Sequence, residues 1–135
     1  MTAPFVYQPL AGSETRLFSI EPGKVDDPLR VQLRHIRLET TPTYHALSYV
    51  WGDSNDKVQI SVNDVPFSIP RNLYNALGQL REILIAKKEE GFLFWADSIS
   101  INQQDEAEKS REVLRMGEIY QSAYQVTGWL GMAED

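Results

Sequence analysis

Three early segments of the chain carry the hydrophobic pattern of β-strands. In the segment 29–38, Leu29, Val31, Leu33 and His35 alternate with Arg30, Gln32, Arg34 and Ile36, and this spacing of two is typical of a half-buried strand. Shorter apolar runs predict strands over 15–20 and 44–50. Turn residues such as Pro and Gly separate these runs, so the first third of the chain is expected to be mainly β-structure.

A hairpin and two helices are predicted next. Alternating residues over 58–69 flank the dipeptide Asn63-Asp64, which predicts a β-hairpin with a two-residue turn. Apolar residues at helical spacing predict amphipathic helices over 71–87 and 105–123.

The fold class follows from the order of these elements. The unbroken apolar run from Phe92 to Ala96 predicts a central strand buried on both faces, and a last strand is expected over 124–130. Strands and helices alternate here, so we expect a βαβαβ unit with parallel strands. The expected fold is α/β, with a three-layer, mostly parallel central sheet to which N-terminal antiparallel strands and the 58–69 hairpin are added. Residues 1–135 are expected to form one domain after an irregular lead-in over 1–13.

Composition excludes several classes of function. The chain has no cysteine, so disulfides, thiolate nucleophiles and cysteine-bound zinc are excluded, and no other metal signature is visible. The net charge of −6 and the lack of a basic run argue against a nucleic-acid surface and against binding to an anionic membrane. No signal peptide and no membrane-spanning run is visible, and a cytoplasmic location is expected.

Polar side chains follow two of the predicted strands at the points where they end. In open α/β sheets, the residues just past the carboxyl ends of parallel strands form the ligand crevice. The breaks after 44–50 and 92–96 are expected to bring these residues to one edge of the sheet: Ser48, Trp51, Asp53, Asp97, Asn102 and Gln103. Asp97 stands out because a carboxylate that is partly removed from water needs hydrogen-bond donors or a functional role. Alternatively, Asp97 caps its loop and Trp51 plugs the end of the core.

Two glutamates on the second predicted helix are further candidates. Glu108 and Glu112 are four residues apart, so they share one helix face. Carboxyl groups that act on a sugar bond lie ~5–9 Å apart, and Asp97 with Glu108 could meet this requirement. For Glu112 we favour a solvated helix face. For Glu108 a structural and a functional role stay open.

The residues of these segments also carry a family resemblance. The patterns Tyr-x-Ala-Leu-Ser-Tyr-x-Trp-Gly-Asp over 44–53 and Trp-x-Asp-x-Ile-x-Ile-Asn-Gln over 95–103 resemble the heterokaryon incompatibility (HET) domain of filamentous fungi. Further blocks in the same order extend the resemblance from about Tyr7 to Gly131. The chain departs from the family at Lys109, where Arg is usual, and at Glu112, where Gln is usual.

The resemblance implies a function and partners. It implies a cell-death signalling domain in fungal non-self recognition, which acts by self-association as a homo-oligomer or with other signalling domains. It also implies a distant, TIR-like (flavodoxin-like) relationship, and some TIR domains cleave NAD at the nicotinamide–ribose bond. The alternative function is therefore an NAD glycohydrolase, with NAD as substrate and no resident cofactor or metal. Family members usually continue past the last residues of this chain, so a C-terminal continuation is expected to be missing.

For NAD cleavage, the resemblance implies roles for particular residues. Glu108 is the nearest counterpart of the TIR catalytic glutamate, and Asp97 would hold the loop and hydrogen-bond the ligand. Trp51 would stack on a ring. The remaining candidates would bind the ligand or line the mouth of the site: Ser48, Asp53, Ser98, Asn102 and Gln103.

Overall fold

The computed structural model describes residues 5–37, 39, 43–50, 52–53, 55–88, 92–123 and 125–129. Within these ranges the chain forms seven strands and three helices. In chain order they are β1 (Glu14–Ile20), β2 (Arg30–Arg37), β3 (Tyr44–Tyr49), β4 (Lys57–Val62), β5 (Val65–Pro70), α1 (Arg71–Ala86), β6 (Leu93–Trp95), α2 (Asp97–Ser100), α3 (Glu106–Ser122) and β7 (Gln125–Trp129).

All seven strands belong to one mixed sheet. Their order across the sheet is β5-β4-β2-β1-β6-β3-β7. The two longest pairings, β1 with β2 and β4 with β5, are antiparallel, and β1 is also antiparallel to β6. The strand β3 runs parallel to both β6 and β7, and β2 runs parallel to β4.

The predicted three-layer, mostly parallel α/β sheet, of TIR-like or flavodoxin-like type, is therefore wrong. Parallel neighbours need a long crossover connection, whereas neighbours joined by a short turn pair antiparallel. Short connections follow β1 and β4, so much of the sheet is antiparallel. The predicted βαβαβ unit is incomplete, because its first strand, β5, lies at the far edge of the sheet beside β4.

The hairpin over 58–69 is present as predicted. The register pairs Val62 with Val65, which leaves Asn63 and Asp64 as the two turn residues. Their φ angles are 49° and 68°. Positive φ at both central residues defines a type I′ turn, which matches the twist of the two strands and is tolerated best by Asn, Asp and Gly.

The core lies on both faces of the sheet. Neighbouring residues of β6 point in opposite directions: Phe94 belongs to one buried cluster and Trp95 to the other. The first cluster includes Leu77 of α1, and the second includes Ile119 of α3. The strand β6 lies between β1 and β3 and is fully buried, so the predicted central strand over 92–96 is confirmed.

The helices follow the predicted positions, with one addition. The helix predicted over 71–87 is α1, and the one predicted over 105–123 is α3, where the Asp105 side chain accepts a hydrogen bond from Glu108 N at 3.1 Å. The short helix α2 was not predicted. It is one turn, in the segment expected to be a loop, and it lies between β6 and the start of α3.

Candidate functional site

A cleft of about 270 Å³ opens between the hairpin and the turn that follows α2. Its lining includes two aromatic rings, one ammonium group, a hydroxyl and two amides, supplied by Phe67, Tyr7, Lys57, Ser98, Asn102 and Gln103. Ligand sites combine apolar walls with a few converging polar groups. This cleft therefore combines apolar walls with a small set of polar groups.

The carboxyl ends of β3 and β6 meet beside the cleft. Because the two strands are parallel, Tyr49 at the end of β3 comes to Asp97, just past the end of β6. The Tyr49 hydroxyl donates to Asp97 Oδ1 at 2.7 Å and is also hydrogen-bonded to Ser98 Oγ. Burial, followed by the nearby Asp97 charge, raises the pKa of Tyr49 far above its ordinary value. Tyr49 is therefore a neutral hydrogen-bond donor to the Asp97 carboxylate.

A buried ion pair lies behind the cleft. Arg16 of β1 binds both carboxylate oxygens of Glu108 at 2.8 Å, and its two terminal nitrogens also donate to the carbonyl oxygens of Ser100 and Gln8. Arg16 is 1% exposed and Glu108 3%. The backbone N–H of Asn102 donates to Glu108 at 2.7 Å. Burial would raise the pKa of Glu108, but the hydrogen bonds from Arg16 and Asn102 outweigh it and hold the pKa below its ordinary value.

The lead-in segment is attached to this ion pair through Tyr7. The Arg16 guanidinium lies 4.7 Å from the centre of the Tyr7 ring, which is a cation–π distance. The Tyr7 hydroxyl donates to the Ile99 carbonyl oxygen at 2.7 Å, and its ring contacts Phe5 and Phe67 edge to face. Tyr7, in the segment predicted to be irregular, thus lines the cleft.

The structure brings together five of the predicted site residues. Ser98, Asn102 and Gln103 line the cleft. Asp97 is joined to them, since its carbonyl oxygen accepts a hydrogen bond from Gln103 Nε2 at 3.0 Å. Glu108 lies behind the wall, in contact with the Asn102 backbone, and its carboxylate is occupied by Arg16.

Two residues predicted from the β3 segment, Ser48 and Asp53, are not among the described residues that line this cleft. Ser48 is exposed on β3, and Asp53 is exposed and accepts a hydrogen bond from Asn55 N at 2.9 Å within its own turn. Trp51 lies outside the described residues. Gly52 has a φ of 72°, a left-handed backbone conformation that favours glycine.

Sequence reasoning missed Tyr49 and Arg16. The period of two along β3 places Tyr49 on the same face as the buried Leu47, and that signal could have found it. Arg16 stands next to Leu17 and Phe18 in a strand, and a buried arginine needs a paired acid. That pattern predicts a buried carboxylate partner, although it cannot say that the partner is Glu108.

Some kinds of site are absent from the described part of the chain. No three His, Asp or Glu side chains there form a group that could hold a metal ion. None of the helices within the described ranges has the length and apolar character needed to cross a membrane.

Comparison with known proteins decides the family. A sequence model of the heterokaryon incompatibility protein family (HET) matches residues 44–135. The chain belongs to the HET family. It is also 40% identical over 129 residues to heterokaryon incompatibility protein 6, OR allele, of Neurospora crassa, an alignment that covers 89% of this chain and 19% of the relative. The chain thus spans about a fifth of that relative's length. No solved structure matches it.

In this HET domain Glu112 is buried, so the solvated position favoured for it is wrong. Its exposed fraction is 1%, and Oε1 accepts a hydrogen bond from Arg115 Nη1 at 3.0 Å. Its other oxygen is buried without a hydrogen-bond partner among the described residues. Burial raises the pKa of Glu112, and the Arg115 charge opposes this only in part.

Replacing Glu112 with glutamine is expected to stabilise the HET domain at neutral pH by about 1 kcal/mol, the low end of the gain from removing an incompletely paired buried charge, because the amide is neutral and its oxygen can still accept from Arg115. The pKa of Glu112 is higher in the folded chain than in the unfolded chain. Glu112 therefore contributes its full stabilisation of the fold below the ordinary carboxyl pKa, and this stabilisation is lost as the pH rises through the pKa of the folded chain. The advantage of Glu112→Gln should therefore disappear towards acid pH.

Urea unfolding of the wild-type and Glu112→Gln chains from pH 4 to 8 measures this difference. Glu82→Gln is the matched control, because Glu82 lies on the helix α1 but is exposed. An advantage that grows as the pH falls would contradict the assignment of Glu112 as the buried, destabilised carboxylate.

Proposed function

We propose that this HET domain starts an incompatibility response when unlike fungal cells fuse, that the response ends in cell death, and that the domain acts by self-association within a larger protein. The proposal rests on the family match together with the 40% identity to a protein named for heterokaryon incompatibility. The chain spans only about a fifth of that relative, which fits one signalling domain among other parts.

The state of the buried acid supports a signalling role. The Glu108 carboxylate accepts three hydrogen bonds, from Arg16 and from the Asn102 backbone, and its pKa is held low. Catalysis at the nicotinamide–ribose bond needs a carboxylate that can reach that bond. The Glu108 carboxylate is buried and held by Arg16, so an output through protein contacts fits the geometry better than catalysis by Glu108.

NAD cleavage is the second candidate, and the cleft is the observation that favours it. The rings of Tyr7 and Phe67 and the amides of Asn102 and Gln103 line the same cleft, and Gln103 donates a hydrogen bond to the Asp97 carbonyl oxygen. In this proposal a carboxylate stabilises the oxocarbenium-like transition state that forms when the nicotinamide–ribose bond breaks. Glu108 would first have to leave Arg16. The observed mixed sheet is not TIR-like, so this candidate rests on the cleft alone.

One experiment tests both candidates. The chain is expressed from an inducible promoter in a filamentous fungus, and growth and nicotinamide release are measured together. We expect growth arrest without a rise in nicotinamide. The result would support NAD cleavage instead if growth arrest is accompanied by nicotinamide release, if Asp97→Asn abolishes that release, and if the exposed control Asp53→Asn leaves it unchanged. Unaffected growth with the folded chain present would contradict the signalling proposal.

A further inference from the structure

The outer face of α3 exposes two apolar side chains next to each other. Leu114 is 87% exposed and Val113 52%. We propose that this face packs against the same face of a second copy of the chain, with the two helices antiparallel. The inference rests on the proposed function and names the surface that its self-association uses.

The spacing along α3 fits helix–helix packing. The exposed residues Ala107, Ser110, Leu114, Gly117 and Gln121 follow the three-and-four spacing of a heptad seam. A methyl group added at Gly117 would meet nothing within 4 Å, so no described part of the chain covers this part of the helix. The small residues around Leu114 leave room for a leucine from the second helix.

The charges beside this seam are self-complementary. Arg111 and Glu118 flank Leu114 on one side of the seam, both are exposed, and neither forms a salt bridge with another described residue. In an antiparallel pair with its two-fold axis at Leu114, a residue on the N-terminal side of Leu114 in one copy lies near a residue on the C-terminal side of Leu114 in the other copy. Arg111 of each copy then meets Glu118 of the other, which gives two ion pairs across one interface.

The antiparallel direction follows from Val113. In an antiparallel pair, Val113 lies beside Val113 of the second copy, so both apolar side chains leave water. A parallel pair would instead place Val113 beside Glu118 of the second copy. Antiparallel helix dipoles also attract each other.

The size of this face sets the strength of the association. The helix has 17 residues, or about 25 Å at 1.5 Å per residue. One helix face of this length buries less than the ~1,000 Å² typical of a stable interface. The dimer is therefore weak and forms when the local concentration is high, as when a larger protein clusters its domains.

Sedimentation equilibrium of the purified chain tests the proposal by charge exchange. Wild-type chain is expected to dimerise with rising concentration, and Arg111→Glu or Glu118→Arg alone should raise the Kd at least tenfold because like charges then face each other. An equimolar mixture of the two variants should restore the dimer, since every pair is again opposite in charge. Leu114→Ser should also weaken it. The control Val25→Ser changes a 68% exposed valine in the loop that Arg81 of α1 binds, and should have no effect.

A chain that stays monomeric at every concentration, or a mixture that fails to restore the dimer, would overturn the proposal. The same variants expressed in the fungal host test the proposed function separately. If the exchange restores the dimer but Arg111→Glu alone still arrests growth, the interface stands and self-association is not the signal. If Arg111→Glu loses both dimer and arrest, and the mixture regains both, the interface and the signal are the same.

Discussion

Arg16→Met is expected to lower the free energy of unfolding by about 3–5 kcal/mol, because removing one partner of a buried ion pair leaves the other charge unpaired. Arg16 holds both oxygens of Glu108 and also binds the carbonyl oxygens of Ser100 and Gln8. Methionine fills part of the space but supplies none of these donors. Urea denaturation at pH 7 measures the loss.

The matched control is Arg71→Met. Arg71 pairs with Asp56 at the same 2.8 Å, but both side chains are about half exposed, so its loss should cost at most ~1 kcal/mol. The double variant Arg16→Met/Glu108→Gln should recover part of the loss, since it removes the orphaned charge as well. If Arg16→Met and Arg71→Met lower the free energy of unfolding equally, burial does not make the Arg16–Glu108 pair more stabilising than an exposed pair.

The sequence was a good guide to the elements and a poor guide to how the strands pair. Periodicity reports which faces of a segment are buried, and it placed α1, α3 and the hairpin close to their observed bounds. It does not report the neighbours of a strand. The position of β1 between β2 and β6 depends on contacts between residues far apart in the chain, such as Phe18 opposite Phe94. The mixed sheet could therefore not be derived from local pattern.

The same limit applies to the candidate site. Asp97, Ser98, Asn102 and Gln103 lie within seven residues, so their common location could be predicted from the end of one strand. The partner of Glu108 could not, because Arg16 is 92 positions away. Glu112 shows the same limit. Its spacing from Glu108 predicted that the two residues share a helix face, but the spacing could not predict that this face is buried.

Phe94→Ala and Trp95→Ala are each expected to destabilise the chain by about 3–5 kcal/mol, the usual cost of truncating a buried aromatic residue. The two residues are 3% and 0% exposed, and they belong to separate clusters on opposite faces of the sheet. A strand with only one buried face would lose stability at one of these positions and not at the other.

Phe67→Ala on the edge strand β5 is the control for those two variants. Phe67 is partly buried and lines the cleft, so its truncation should cost less than either change in β6. Urea unfolding of the three variants at one pH gives the comparison. Because α1 covers the Phe94 cluster and α3 the Trp95 cluster, a large loss at both positions would show that one short strand joins the two halves of the core. A small loss at Trp95 would mean that the α3 side contributes little, and α3 would then be a poor support for any interface.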